Sequence, residues 1–264
     1  PQGAADYRAA IARYTDYLKT YPNAPDNDRV LYQLARAHEL NGELETALKT
    51  LDRLVEAYPA TRHREEAQFR RGELLFTLRN YAQAEAAYAQ TMASGQGTPY
   101  YERALYMHGW SLFKQGRLEE AVEDTFRVTS LSLENLQGAA SIPPYITTPV
   151  RREYEFRVYQ QLGELYLKQD RVKDAADTFT AFAQRHPLHK ESSVLQARVI
   201  DIYAANGFEP LALEAKKRYV VHYGVGSEFQ RANPAGWERS APLVKTHLEE
   251  LARHHHALAQ KRKK

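Results

Sequence analysis

The sequence predicts an all-α protein built as a solenoid of antiparallel helical hairpins. A small residue followed twelve positions later by an alanine recurs along the chain, first at intervals of 37 residues and then, once, of 54. Pro22 and Pro59 keep the same spacing, and Pro187 closes a third unit. Since proline disfavours helical backbone in the residue before it, these prolines mark helix ends, and a repeat of this period is typical of stacked units. The pairs are Ala35 with Ala47, Gly72 with Ala84, Gly109 with Ala121, and Gly163 with Ala175.

Between these marks the apolar residues follow helical spacing. The stripes are Leu31, Leu34, Ala35 and His38 in one unit and Tyr159, Leu162, Gly163 and Tyr166 in another. A short turn, such as Asn41-Gly42 or Asn206-Gly207, then leads into a second helix. Each repeat is therefore a helical hairpin.

The small residue and the alanine allow the two helices of a hairpin to approach closely. We expect the aromatic residue or leucine four positions after the alanine to fill the joint with the next hairpin. A single hairpin cannot bury both of its faces, so the units must stack.

The spacing divides the chain into three parts. Residues 1–24 are predicted to be the second helix of a truncated repeat, residues 25–223 to form five repeats, and residues 224–264 to form a linker and a terminal helix. That helix is expected to run from Ala241 to Lys264, with Ser240 as its cap and Pro242 in its first turn. Because the chain starts with Pro1 and ends within a helical pattern, we expect it to be a segment of a longer protein.

An insertion at about 131–150 accounts for the long interval. Leu131, Leu133 and Leu136 are predicted to prolong a helix, and Gln137 to Val150 to form a loop. Long loops in compact arrays are often functional. The alternative is that this loop covers a hydrophobic seam.

Composition narrows the function. The 264 residues include no cysteine, which excludes disulfides, thiol nucleophiles and Cys-ligated metals. The net charge of +3 depends on a terminal run of four basic residues, Lys261 to Lys264, without which the balance is −1. We therefore expect no nucleic-acid partner. No apolar run approaches the roughly 18 to 20 residues of a membrane span, so we expect none in this segment.

No motif points to catalysis or to a cofactor. The chain lacks a phosphate-binding Gly-rich loop, a G-x-S-x-G elbow and an H-E-x-x-H pair. His254, His255 and His256 are consecutive, and neighbours on a helix point about 100° apart, so they cannot converge on one metal. The sequence therefore predicts a non-enzymatic protein with no cofactor and no metal site.

These residues resemble the tetratricopeptide repeat family. The match is most complete at Tyr159, Leu162-Gly163, Tyr166, Ala175, Phe179 and Pro187, and about 200 of the residues follow the pattern. The resemblance implies a right-handed superhelical solenoid whose first helices line a concave face that binds proteins or peptides. Units of 37 residues with Tyr-Pro endings, as in Leu54 to Pro59, look most like bacterial envelope members such as BamD and the Tol-associated periplasmic coordinator.

The inner stripe of the array consists of the positions six and three before each small residue and one and four after it. In the first three repeats, these positions carry six aromatic residues with arginines and glutamates between them. Arginine and aromatic side chains contribute most of the binding energy in protein interfaces. The alternative is structural packing, because strong superhelical curvature, or the loop 137–150 folding inward, could bury the same aromatics. The expected partner-binding residues are Arg29, Tyr32, Arg36, Phe69, Glu73, Phe76, Arg103, Tyr106, Trp110 and Phe113.

The sequence thus predicts a protein-interaction scaffold that holds a peptide or partner protein in the concave groove. The resemblance places it in a bacterial cell-envelope complex, periplasmic or envelope-associated, with any membrane anchor outside this segment; otherwise the chain is cytoplasmic. The alternative function is a docking or regulatory segment of a larger multidomain enzyme or of a secretion or polysaccharide machinery.

Overall fold

A computed structural model describes residues 7–262, and the structural statements below concern that part of the chain. The first and last residues of the predicted array, 1–6 and 263–264, lie outside it. Thirteen α-helices account for most of the described residues, in which no strand occurs. They are α1 (Arg8–Thr20), α2 (Asn27–Leu40), α3 (Leu44–Ala57), α4 (Arg64–Thr77), α5 (Tyr81–Met92), α6 (Tyr101–Lys114), α7 (Leu118–Glu134), α8 (Pro149–Lys168), α9 (Val172–Arg185), α10 (Ser192–Ala205), α11 (Glu209–Tyr223), α12 (Glu228–Ala232) and α13 (Pro234–Arg262).

The helices form two compact units divided within α7. Unit 1 ends at Val128 and unit 2 begins at Thr129. In unit 1 each helix from α1 to α5 packs against the one that follows it, and in unit 2 the same holds from α8 to α11. The predicted all-α array of consecutive helical hairpins is therefore confirmed. Among the described helices, none combines the length and the apolar character that crossing a membrane requires.

Left-handed residues close the hairpins. Gly42, Gly116 and Gly207 have φ values of 81°, 78° and 76°, in the region that glycine adopts without steric cost. Arg79 and Asp170 occupy the equivalent position in two other turns with φ of 61° and 58°. The turn geometry is thus repeated even where the sequence lacks the glycine.

Aromatic rings pack directly on the small residues of their own hairpins. A Cβ atom added at Gly72 would lie 2.5 Å from Cε1 of Tyr88, and one added at Gly163 would overlap the ring of Phe179. Tyr88 and Phe179 are fully buried. The expectation that these aromatics fill the joint with the next hairpin was therefore incomplete, since they first fill the joint inside their own.

The α6/α7 hairpin replaces this ring with a buried carboxylate. Asp124 lies against Gly109, where an added Cβ would be 3.2 Å from the aspartate Cβ. Its side chain is 7% exposed and accepts from His108 Nδ1 at 2.5 Å and from Arg127 Nη1 at 3.3 Å. A polar contact therefore joins these two helices where the α4/α5 and α8/α9 hairpins use an aromatic ring.

The insertion folds against unit 2. After α7 ends, Gly138–Ser141 and Pro143–Tyr145 form two 3₁₀ turns. Ile142 is 1% exposed within the core of unit 2, so the loop lies over a hydrophobic seam at this residue. The prediction that Leu136 prolongs the helix is wrong, because α7 stops at Glu134 and Leu136 is exposed.

The last helix begins earlier than predicted. The predicted linker between residue 224 and Ala241 contains α12 and the start of α13. Asn233 accepts from the backbone of Gly236 at 3.0 Å and precedes Pro234, a favoured first helical residue. Ser240 is therefore not a cap: it is buried inside α13, where its hydroxyl donates to the carbonyl of Gly236 at 3.0 Å. Pro242 lies within the helix.

Candidate partner-binding surface on α2, α4 and α6

The ten predicted binding residues all lie on the first helices of the hairpins of unit 1. Arg29, Tyr32 and Arg36 are on α2, the residues from Phe69 to Phe76 are on α4, and the rest are on α6. The structure separates them into four groups: buried aromatics, paired charges, exposed aromatics and two peripheral residues.

Two of the aromatics are buried and cannot contact a partner in this conformation. Tyr32 is 7% exposed; its ring stacks on His63 with centroids 4.7 Å apart. Phe69 is 2% exposed beneath the ring of Tyr100 at 5.2 Å and the guanidinium of Arg103 at 4.7 Å. In both cases a residue from the start of the next hairpin covers the ring. The prediction that these two side chains project into the groove is therefore wrong.

Three aromatics on α6 form a continuous exposed strip, here called the α6 aromatic ladder: Tyr106, Trp110 and Phe113. They are spaced by four and three residues, which places them on one face of the helix. Their exposed fractions are 53%, 40% and 49%. The rings meet edge to face, with centroids 6.4 Å apart from Tyr106 to Trp110 and 5.5 Å from Trp110 to Phe113, a favoured aromatic geometry.

Lys114 and Arg103 flank the ladder with positive charge. The ammonium group of Lys114 lies 6.0 Å from the Trp110 ring centroid, at the limit of a cation–π contact. Arg103 is one turn before Tyr106, and its side chain is 64% exposed. Its guanidinium also reaches Glu73 on α4 at 3.5 Å, which links neighbouring first helices.

A network of ion pairs joins α2 to α4, here called the inner ion-pair network: Arg36, Glu39, Glu66 and Arg70. Arg36 Nη1 is 2.6 Å from Glu39, Arg70 is 3.8 Å from the same carboxylate, and Arg70 Nη2 is 2.8 Å from Glu66. These side chains are only 20% to 27% exposed, so solvent screens them less than a surface pair. The network therefore links α2 to α4.

The protonation of two glutamates reflects this setting. Burial raises the pKa of the Glu73 carboxyl, although Arg103 and Arg70 oppose the shift. Burial also acts upward on Glu66, but hydrogen bonds from Tyr32, Arg70 and Tyr100 outweigh it and lower its pKa. Glu66 is therefore an anion held in place, whereas Glu73 is the more easily protonated of the two.

The two remaining predicted residues are peripheral. Phe76 is half-buried and packs edge-on against Tyr81 of α5 at 5.1 Å. Arg29 is 58% exposed at the start of α2 and pairs with Asp26 at 3.3 Å. Sequence reasoning missed Arg70, which lies outside the inner stripe; its spacing of four from Glu66 is the signal that could have found it.

The described residues contain no group of three histidine, aspartate or glutamate side chains placed to share a metal ion. What the surface offers is apolar contact area beside fixed charges of both signs. Such an arrangement suits binding of another chain.

Stacked helical hairpins with small residues at their crossings define an α-solenoid repeat protein. Tetratricopeptide repeat sequences match residues 3–65, 66–129 and 157–189, which together make up more than half of the chain. The chain belongs to the tetratricopeptide repeat family. No curated protein sequence matches the chain.

Solved structures of tetratricopeptide proteins are similar to this chain. MamA aligns at 22% identity with a TM-score of 0.40, covering 69% of this chain and 90% of MamA. YrrB, described as a TPR protein with an unusual peptide-binding site, aligns at 16% identity and 0.37, covering 91% and 100%. A tetratricopeptide repeat protein from Parabacteroides merdae aligns at 15% and 0.42, covering 92% and 91%.

Proposed function

We propose that this chain is a non-catalytic protein-interaction scaffold that binds a peptide or a helix of a partner protein on the inner face of α6. The observation that carries the proposal is the α6 aromatic ladder, in which three adjacent rings are 40% to 53% exposed. Exposed apolar strips of this kind mark interaction sites. Membership of the tetratricopeptide repeat family supports the same class of function.

The surface favours a partner segment with apolar or aromatic side chains. Trp110 and Phe113 present edges and faces on which such side chains can stack. Arg103 and Glu73, one on each of two neighbouring helices, supply charges of both signs beside the strip. An amphipathic helix or an extended peptide with mixed charge would satisfy both features.

The test is a peptide selection followed by substitution. Peptides selected from a random display library on the full chain should lose affinity for Trp110→Ala/Phe113→Ala by about thirtyfold or more, the effect of removing binding hot spots. Tyr154→Ala is the matched control, because Tyr154 is also an exposed aromatic, at 50%, but lies on α8 of unit 2. Equal binding to the folded double variant would show that the ladder is not the docking surface.

A second measurement identifies the natural partner. A photo-reactive benzoylphenylalanine at Tyr106 should form crosslinks in the native host, whereas the same group at Tyr154 should not form them with the same protein. Circular dichroism of each variant checks that helicity is kept. Crosslinks from Tyr154 alone would contradict the proposed site.

We further propose that the scaffold works in a bacterial cell-envelope complex. The support is the resemblance of its 37-residue units and Tyr-Pro endings to envelope members of the family. Fractionation of the tagged full-length protein in its host tests this placement. Recovery in the cytoplasmic fraction would contradict it.

A further inference from the structure

Unit 2 contains a cavity that the proposed scaffold function does not use. It has a volume of about 350 Å³ and lies among α9, α10, the end of α11 and α12. This volume is at the lower end of the range for small-ligand pockets and corresponds to about twelve water-sized volumes. It is here called the α9–α11 cavity.

Part of the cavity wall is apolar. Tyr223 and Phe229, which are 3% and 2% exposed, contribute its buried aromatic surface, and their rings meet edge to face at 4.9 Å. Leu188 and Val221 also line it, and both are exposed to solvent at 38% and 73%. Apolar surface therefore extends from the interior to the mouth.

One polar side chain in the lining has no hydrogen-bond partner within the protein. Gln196 is 9% exposed, and its amide makes no hydrogen bond to any residue that the structure describes. The amide is not fully enclosed, so its polar atoms keep access to solvent and to a molecule in the cavity. A ligand group that accepts from and donates to this amide would therefore replace its bonds to water.

The charges of the lining select the ligand. Arg218 is exposed at the cavity, and no carboxylate within the described part of the chain lies within ion-pair distance of its guanidinium. His222 also lines the cavity, one turn further along α11. Glu228 is the carboxylate in the lining. Because the lining has one guanidinium and one carboxylate, it carries no large excess of positive charge and suits a ligand with one negative charge better than a polyanion.

The wall that closes the cavity is built by specific loop contacts. Gly226 adopts φ of 78°, its N–H donates to Gln230 Oε1 at 2.7 Å, and its carbonyl accepts from Arg231 at 2.7 Å. Ser227 caps α12 by accepting from the backbone of Gln230 at 3.1 Å. These bonds hold Phe229 against Tyr223, so the cavity is formed before any ligand arrives.

From these features we infer that the α9–α11 cavity binds an apolar carboxylate of about the size of an acylated leucine. The carboxylate pairs with Arg218, an adjacent amide meets Gln196, and the apolar body packs on Tyr223 and Phe229. Such a ligand is supplied either by a free acid or by the carboxyl-terminal residue of a peptide.

The experiment titrates the full chain with N-acetyl-leucine and with its uncharged amide, followed by NMR. The acid should bind with an affinity on the order of millimolar, as expected for so small a ligand, and shift resonances of the lining residues. The amide and the variant Arg218→Gln should each bind about tenfold more weakly, the loss of a charge-assisted hydrogen bond. Gln196→Leu, of similar volume, should weaken binding about threefold or more.

The matched control is Arg198→Gln, which removes an arginine of unit 2 that pairs with Glu164 and does not line the cavity. It should leave the affinity unchanged. Equal binding of acid and amide, unchanged affinity in folded Arg218→Gln, or absence of shifts at the lining would each overturn the proposal. A peptide ending in a free leucine carboxyl distinguishes the two sources: tighter binding than the acetylated residue assigns the cavity to chain termini, and equal binding assigns it to free acids.

Discussion

Replacing Gly163 by alanine should destabilise the α8/α9 hairpin, although alanine is the better helix former. An added Cβ would overlap the ring of Phe179, which is fully buried. The α2/α3 hairpin has a different pair of residues at the same contact. Ala35 occupies the glycine position there, and the smaller Leu51 occupies the position of the ring. The two positions should therefore be energetically coupled.

The magnitudes follow from two opposing effects. Overpacking a core costs typically about 1–3 kcal/mol, while replacing a mid-helix glycine by alanine gains about 1 kcal/mol. Gly163→Ala alone should thus lower the free energy of unfolding by about 1 kcal/mol, within a range of about 0–2 kcal/mol. In a Phe179→Leu background the clash is gone, and Gly163→Ala should raise the free energy of unfolding by up to about 1 kcal/mol.

Urea unfolding of the wild type, both single variants and the double variant, followed by circular dichroism, gives the coupling energy directly. We expect a coupling of about 2 kcal/mol between the two positions, with the double variant more stable than Phe179→Leu. A Gly163→Ala effect of the same sign and size in both backgrounds would refute the steric explanation of the repeat.

Three further outcomes are expected. Arg79→Gly should stabilise unit 1 by about 1 kcal/mol in thermal unfolding. Arg79 has a left-handed φ of 61°, which is sterically unfavourable for a residue with a Cβ and which glycine adopts freely. A lower melting temperature of the variant would contradict this. The pKa of Glu66 is lowered in the folded state. The stability that its carboxylate contributes is therefore fully present above the usual glutamate pKa and is lost as pH falls through the folded-state pKa. Glu66→Gln should therefore be less stable than the wild type at neutral pH and should lose less stability than the wild type on acidification. If the free energies of unfolding of the two proteins change in parallel with pH, Arg70 does not hold this anion. Glu155 is 1% exposed and 2.7 Å from Arg185, so Glu155→Gln should cost about 1–3 kcal/mol in urea unfolding, and an unchanged midpoint would mean that the ion pair contributes nothing.

The hairpin array could be predicted because its signals are local. The small residue, the alanine and the closing proline each act within one repeat, so their spacing along the chain predicts the fold. The position of α13 could not be predicted as well. Ser240 and Asn233-Pro234 are both plausible helix starts, and only burial of Ser240 against the hairpin before it decides between them.

The candidate site was predictable only in part, for a related reason. The periodicity of one helix locates Tyr32, Phe69 and Tyr106 at equivalent positions. Whether each side chain is free depends on a residue about thirty positions later, such as His63 or Tyr100, which covers the ring from the next hairpin. No pattern within a single repeat shows that cover, so two of the three were assigned wrongly.

The carboxylate of Asp124 has a consequence for the dynamics of the proposed docking surface. A buried carboxylate must offset the cost of its desolvation, whereas the rings in the neighbouring hairpins gain from burial outright. The α6/α7 hairpin should therefore open locally more often than the α4/α5 hairpin, which hydrogen exchange would record as lower protection. A partner bound to Trp110 would select the closed form. Slower amide exchange in α6 and α7 would then report binding even before the partner's own contacts are known.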